Sequence, residues 1–170
     1  MKKYFFLFLV PAFLLFILSG CLKDSKPLPC NYDACAIKAP DAEIAVVQHY
    51  LDSVGVSATQ HCSGLFYKIT NAGTGNAPEA CQNIGVVYKG MLANGHVFDS
   101  SGTGGIALNL GSVILGWRNG IPLLKQGGKM TLYIPPTLGY GKQARYDANN
   151  NVVIPANSML VFDVDLVAVY

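Results

Sequence analysis

From Gly64 on, strand signals dominate, clearest where apolar residues fall on every second position, the period of a strand with one face in a core. Strands are predicted over 65–69, 85–92, 96–98, 106–110, 129–134 and 159–169. In the fifth, Met130, Leu132 and Ile134 share one side. In the last, Leu160, Phe162, Val164, Leu166 and Ala168 face one way, and Asp163 and Asp165 face the other. Asn94-Gly95, between two of these runs, is a hairpin signal. Two segments break the period. Residues 44, 47, 50, 51 and 54 are apolar at helical spacing, with Pro40-Asp41 as a start and Gly55 as a stop. Val113, Trp117, Ile121 and Leu124 repeat that spacing. Pro122 costs a helix hydrogen bond, so this second helix is short, and Gly127-Gly128 ends it. The pattern predicts an α+β fold: a curved antiparallel sheet of five to six strands wrapped around one short helix, with an N-terminal helical extension. No internal repeat is evident.

Outside this region the pattern changes character. Met1-Lys2-Lys3 precedes an apolar run from Tyr4 to Leu18, and Leu18-Ser19-Gly20-Cys21 follows. Charge, apolar core and small residues in that order mark a secretory signal over 1–20, too short and wrongly flanked for a membrane span. Leu-Ser-Gly-Cys resembles a bacterial lipobox, which implies that Cys21 is lipidated and anchors the chain to a membrane of the cell envelope. The alternative is an ordinary secretion signal with a chance cysteine. Residues 21–40, with three prolines after Cys21, read as a tether; 41–63 form the helical extension and 64–170 the main domain.

Composition narrows the chemistry. Removal of the signal takes Lys2 and Lys3, so twelve basic residues become ten against ten acidic ones. A near-neutral chain argues against nucleic acid as a partner. Cys30, Cys35, Cys62 and Cys81 are an even set in an exported chain, and two disulfides are expected. Three pairings are open; Cys30–Cys35 with Cys62–Cys81 is the one favoured here. Two pairs of metal ligands are the alternative, weakened by the lack of any CxxC and of ligand spacing among His49, His61 and His96. No metal or other cofactor is expected. There is no nucleophile–base pair, no paired carboxylates, no phosphate loop and no dinucleotide fingerprint. The Gly-rich run 102–105 has no following helix on which a phosphate would sit, and reads as a flexible loop.

What remains is an ordered set of motifs. Val87-Tyr88-Lys89-Gly90-x-Leu92-x-Asn94-Gly95-x-x-Phe98-Asp99-Ser100-Ser101 is followed by Leu110-Gly111-x-Val113-Ile114-x-Gly116-Trp117-x-x-Gly120. Gly127-Gly128-Lys129 leads into Ile134-Pro135-Pro136-x-Leu138-Gly139-Tyr140-Gly141. Ile154-Pro155-x-Asn157-Ser158-x-Leu160-x-Phe162-Asp163-Val164-Asp165-Leu166 closes the set. In order and spacing these four blocks resemble the FKBP-type peptidyl-prolyl cis-trans isomerases over about residues 64–169. The resemblance implies an apolar pocket for a proline ring. Trp117 would be its floor, Tyr88, Phe98 and Phe162 its aromatic walls, and Val113, Ile114 and Ile154 its aliphatic lining. Asp99 would be a buried-edge carboxylate, and Tyr140 a hydroxyl that contacts the bound peptide. Asp99, Tyr140 and Phe98 are the expected catalytic residues. The backbone amide of Ile114 would receive a carbonyl of the ligand. A competing role for Asp99 is an Asx-type turn that caps Ser100-Ser101-Gly102.

Two positions depart from the family pattern: Ile106 stands where an aromatic is expected, and Gly104 where an arginine pairs with the aspartate. The insertion 142–151 is this chain's own and overhangs the expected pocket mouth; Arg145 and Tyr146 read as solvated loop residues, with contact to substrate as the alternative. The resemblance implies proline-containing polypeptide clients in the envelope and macrolide inhibitors as further ligands; with no tandem repeat or long dimerising helix in the pattern, a monomer is expected. Two other functions compete with isomerisation. The same bowl would serve a peptide-binding chaperone module without turnover. Alternatively, the helix over 41–51 and the disulfides would form a partner surface of a structural domain.

Overall fold

The computed structural model describes residues 30–170; the predicted signal, Cys21 and the first part of the tether lie outside the described residues. The chain forms helix α1 (Asp41–Ser53) and strands β1 (Thr59–Gln60), β2 (Phe66–Asn71), β3 (Asn83–Leu92), β4 (Val97–Ser100) and β5 (Ile106–Asn109). Helix α2 (Leu115–Gly120) and strands β6 (Lys129–Ile134), β7 (Arg145–Tyr146), β8 (Val152–Ile154) and β9 (Leu160–Val169) complete it. Seven strands form one antiparallel sheet in the order β1-β2-β6-β9-β3-β4, with β5 also on β3. That is one to two strands more than expected; the two-residue β1 is too short to show a period. β7, inside the insertion, and β8, just after it, make a separate two-stranded ribbon.

The concave face holds α2. Trp117, Ile121 and Leu124 are buried among Leu132, Ile134, Phe162 and Leu166. The helical spacing from 113 to 124 spans two kinds of turn: α2, then a 3₁₀ turn over Ile121–Leu123. Pro122 sits at the start of that turn, where its missing N–H leaves nothing unbonded. Val113 lies before the helix rather than in it. The backbone of α2 comes close to the sheet: a Cβ on Gly116 would stand 2.6 Å from Ile134 Cδ1, and one on Gly120 2.5 Å from Leu132 Cδ2.

The other face is not fully wet. α1 lies across it, and Val47 and Leu51 pack with Phe66, Tyr133, Met159 and Val161 in a second buried cluster. Glu43 fixes the start of the helix by accepting from the Thr137 amide and hydroxyl, both at 2.8 Å. At the other end Gly55 takes φ +67, and the Val56 and Gly55 amides donate to the Leu51 and Asp52 carbonyls. Val54, assigned to the apolar face by spacing, is the C-cap and 48% exposed. Ala168 also departs from the expected side. The β3–β9 register shifts between Gly85 and Val86, so Leu166 pairs with Val86 and Val169 with Ile84. The bulge hands the core face from Leu166 to Val169 and turns Ala168 away.

The cysteines pair as Cys30–Cys81 and Cys35–Cys62, not as Cys30–Cys35 and Cys62–Cys81. The segment between Cys30 and Cys35 is laid onto the domain, so each sulfur meets a different neighbour. Tyr32 donates to Asn119 Oδ1 at 2.6 Å, and the Arg118 guanidinium lies 3.7 Å from the Tyr32 ring centroid. Arg118 Nε also donates to the Ala80 carbonyl at 3.1 Å, beside Cys81. Further along, Ala39 is buried and its amide donates to the Ser63 carbonyl beside Cys62. The described part of the predicted tether therefore lies against the domain. Replacing Cys30 and Cys81 by alanine opens a link across 51 positions. It should cost about 3–4 kcal/mol in urea unfolding of the oxidised protein. A loss under about 1 kcal/mol would show that Tyr32 and Arg118 hold the segment without the bond.

Candidate proline-binding cleft

The aromatic side chains of the core converge on one place. Tyr88 on β3 and Phe162 on β9 both meet Trp117 of α2 edge to face, with ring centroids 5.0 and 5.2 Å apart. Phe98 on β4 meets Phe162 in the same way at 5.5 Å. Such pairing holds each ring by its neighbours' edges. Gly90 makes it possible, since a Cβ there would lie 2.7 Å from Phe162 Cε1 and 2.8 Å from Phe98 Cζ. Above the rings opens a cleft of about 470 Å³.

Tyr88, Asp99, Val113, Ile114, Trp117, Tyr140 and Phe162 line that cleft, so seven of the nine expected pocket residues are brought together. Two are not. Phe98 stands behind Phe162 and braces it without lining the cleft. Ile154 is 4% exposed, within the core behind the opening. Trp117 is also nearly covered, and its indole N–H has no acceptor among the described residues. Ile114 is the N-cap of α2, where its amide has no intrahelical acceptor to donate to.

Asp99 is not a buried carboxylate. It is exposed at the rim, and Tyr88 donates its hydroxyl to Asp99 Oδ2 at 2.7 Å. Burial, and then this bond, push the Tyr88 phenol well above its ordinary value. The Asx-turn role has no support in the bonding: the Ser101 amide donates to the Tyr88 carbonyl instead, and the Ser101 hydroxyl accepts from the Tyr88 amide. The Tyr140 phenol is also raised, chiefly by burial; the Arg145 charge lowers it and the Asp99 charge raises it. Tyr140 thus feels both charges of the cleft.

Three lining residues were not expected from the sequence: Leu108, Ser112 and Gly139. The signal for Leu108 was present, since it stands two residues beyond Ile106 on the same strand face, and Ile106 lines the cleft too. Arg145 lines the cleft while staying exposed, the alternative to a purely solvated loop residue, because the β7–β8 ribbon folds back and sets its guanidinium 4.5 Å from the Tyr140 ring centroid. Tyr146, next along β7, is 57% exposed and does not line the cleft. Gly104 has open space around its Cβ position, so Tyr88 is the side chain that holds Asp99. Among the described residues Cys35, His61 and Cys62 form one group of potential metal ligands, but both thiols are committed to a disulfide.

Residues 75–167 match the model of the FKBP-type peptidyl-prolyl cis-trans isomerases, and the chain belongs to that family. The FKBP-type peptidyl-prolyl cis-trans isomerase FkpA of Escherichia coli (strain K12) is 44% identical over 150 residues, covering 87% of this chain and 52% of that protein. The crystal structure of Escherichia coli FkpA superposes with a TM-score of 0.64 at 37% identity, over 76% of this chain and 60% of that one. A peptidyl-prolyl cis-trans isomerase from Pseudomonas syringae pv. tomato gives a TM-score of 0.64 at 28% identity, over 78% of this chain and 97% of that one. The chain spans about half the length of the curated relatives it matches. The resemblance read from the four motif blocks is the family found, and the sheet around one short helix is its fold.

Gly90→Ala sets a methyl group against Phe98 and Phe162 at once. It should destabilise the fold by about 1–3 kcal/mol in denaturant unfolding and alter the near-ultraviolet circular dichroism of the ring cluster. A substitution tolerated on both measures would show that the rings can part.

Proposed function

We propose that the chain is a peptidyl-prolyl cis-trans isomerase of the bacterial cell envelope, acting on proline-containing polypeptides and held at a membrane through lipid on Cys21. The observation that carries this reading is the aromatic bowl of Tyr88, Trp117 and Phe162, with Asp99 and Tyr140 at its rim, in a chain of the isomerase family.

The chemistry asked of such a bowl is conformational. A peptide bond is planar through resonance, and its rotation faces a barrier of about 18–20 kcal/mol. X–Pro bonds are close to balanced between cis and trans, yet exchange unaided in tens to hundreds of seconds. At the twisted midpoint resonance is lost and the carbonyl is less dipolar. An apolar cleft that replaces water favours this state over the planar, solvated one. Trp117, Phe162 and Tyr88 supply that surface, and Val113 and Ile114 its aliphatic side. In this reading the Ile114 amide and the Tyr140 hydroxyl hold the client backbone. Asp99, fixed by Tyr88, biases the carbonyl electrostatically as it turns. Phe98, expected among the catalytic residues, supports Phe162 instead. No proton transfer or covalent intermediate enters.

The envelope assignment draws on the signal-like residues 1–20, the Leu18-Ser19-Gly20-Cys21 sequence and two disulfides. Among the described residues no helix is long and apolar enough to cross a membrane. A monomer fits α1, which spends Val47 and Leu51 on its own sheet. Macrolide inhibitors of the family would compete for the same bowl. A second reading, peptide binding without turnover, draws on Ile106, 42% exposed, where an aromatic wall is expected.

Two measurements test the proposal. Cis/trans exchange of a short X–Pro peptide, followed by NMR with the full chain in mild detergent, should accelerate, and Phe162→Ala should reduce the acceleration about tenfold or more. Peptide binding with no acceleration would establish the second reading. Cys21→Ser should move the protein from the membrane fraction to the soluble fraction; unchanged fractionation would remove the lipid anchor.

A further inference from the structure

The chain has two arginines, and they are used differently. Arg118 is consumed by the fold, with its face on Tyr32 and its Nε on the Ala80 carbonyl. Arg145 lines the cleft, and among the described residues no carboxylate forms an ion pair with it. Its contact with the Tyr140 ring uses the guanidinium's charge and positions the group, while its five N–H donors stay available. A planar fork of this kind matches a carboxylate better than any other common side-chain group. The other charge in the cleft, Asp99, is already engaged by Tyr88. A proline seated on Trp117 and Phe162 therefore brings its neighbouring residues to a mouth with one fixed cation.

Building on the isomerase reading, we propose that Arg145 makes the cleft select prolines flanked by an aspartate or glutamate. Its position comes from the insertion: β7 and β8 pair Arg145 with Ile154, and Ile154 is anchored in the core. The guanidinium is thus carried on a ribbon tied to the core, not on a free loop. Because Arg145 remains exposed, the preference is modest and falls with salt.

The test uses the full chain in mild detergent with Ala-Glu-Pro-Phe, Ala-Gln-Pro-Phe and Ala-Lys-Pro-Phe at low ionic strength. Exchange rates and dissociation constants are both read by NMR. The wild type should rank Glu above Gln above Lys, by about threefold to fivefold per step. Arg145→Gln should bring the Glu/Gln ratio to one or below, with Asp99 then favouring Lys, and Arg145→Lys should restore part of it. Ratios within one variant are insensitive to a general loss of folded protein. An equal loss on all three peptides would overturn the proposal and leave Arg145 as a support for Tyr140; so would an unchanged ratio. Acceleration without a Glu preference overturns the selection and keeps the isomerase. The ranked affinities without acceleration keep the selection and overturn the isomerase. No binding of any peptide overturns both.

Discussion

The helix that carries Trp117 lies close in the hollow of the sheet because two of its sheet-facing positions have no side chain. Gly116 and Gly120, one turn apart, let Ile134 and Leu132 touch the helix backbone. A methyl group at either would lift α2 and carry Trp117 away from Phe162 and Tyr88. The floor of the cleft is thus set by backbone proximity, and the edge-to-face contacts follow from it. Gly90 repeats the device on the opposite wall.

A six-residue helix cannot hold itself in place. Its outer side is clasped by the segment that begins at Cys30. Tyr32 bonds the buried Asn119, Arg118 spans from Tyr32 to Ala80, and the Cys30–Cys81 bond closes the arrangement. On the far face α1 covers Phe66, Tyr133 and Val161, side chains that a lone sheet would expose. The N-terminal residues thereby serve the site without reaching it: they fix the two supports between which the aromatic rings are held.

The cleft combines an apolar bowl with two charges at its mouth. Asp99 is tied to Tyr88, and Arg145 is laid on Tyr140. Each charge is held by a phenol, so both keep a position without meeting one another. Both act on the Tyr140 hydroxyl, in opposite senses.

Much of this was legible in the chain, because strands, helices and motif order are local properties. Alternation marked β6 and β9, helical spacing and Gly55 marked α1, and four blocks of residues marked seven lining positions of the cleft. What failed depends on distance in space. Cys30 and Cys35 are neighbours in sequence, yet they are drawn to Cys81 and Cys62 because Tyr32 and Ala39 dock on different parts of the domain. A one-residue bulge, invisible to periodicity, exchanged Ala168 for Val169. Ile154 went into the core rather than the cleft lining, and the choice left open for Arg145 was decided at the cleft edge, through a ribbon whose pairing has no strong local signal. The sequence by itself determined the elements, the aromatic set and the family, since each is written in the order and spacing of residues. Only the tertiary structure decided which sulfurs meet, which walls face the cleft and which charge stands at its mouth, since these depend on where segments far apart in the chain come to rest.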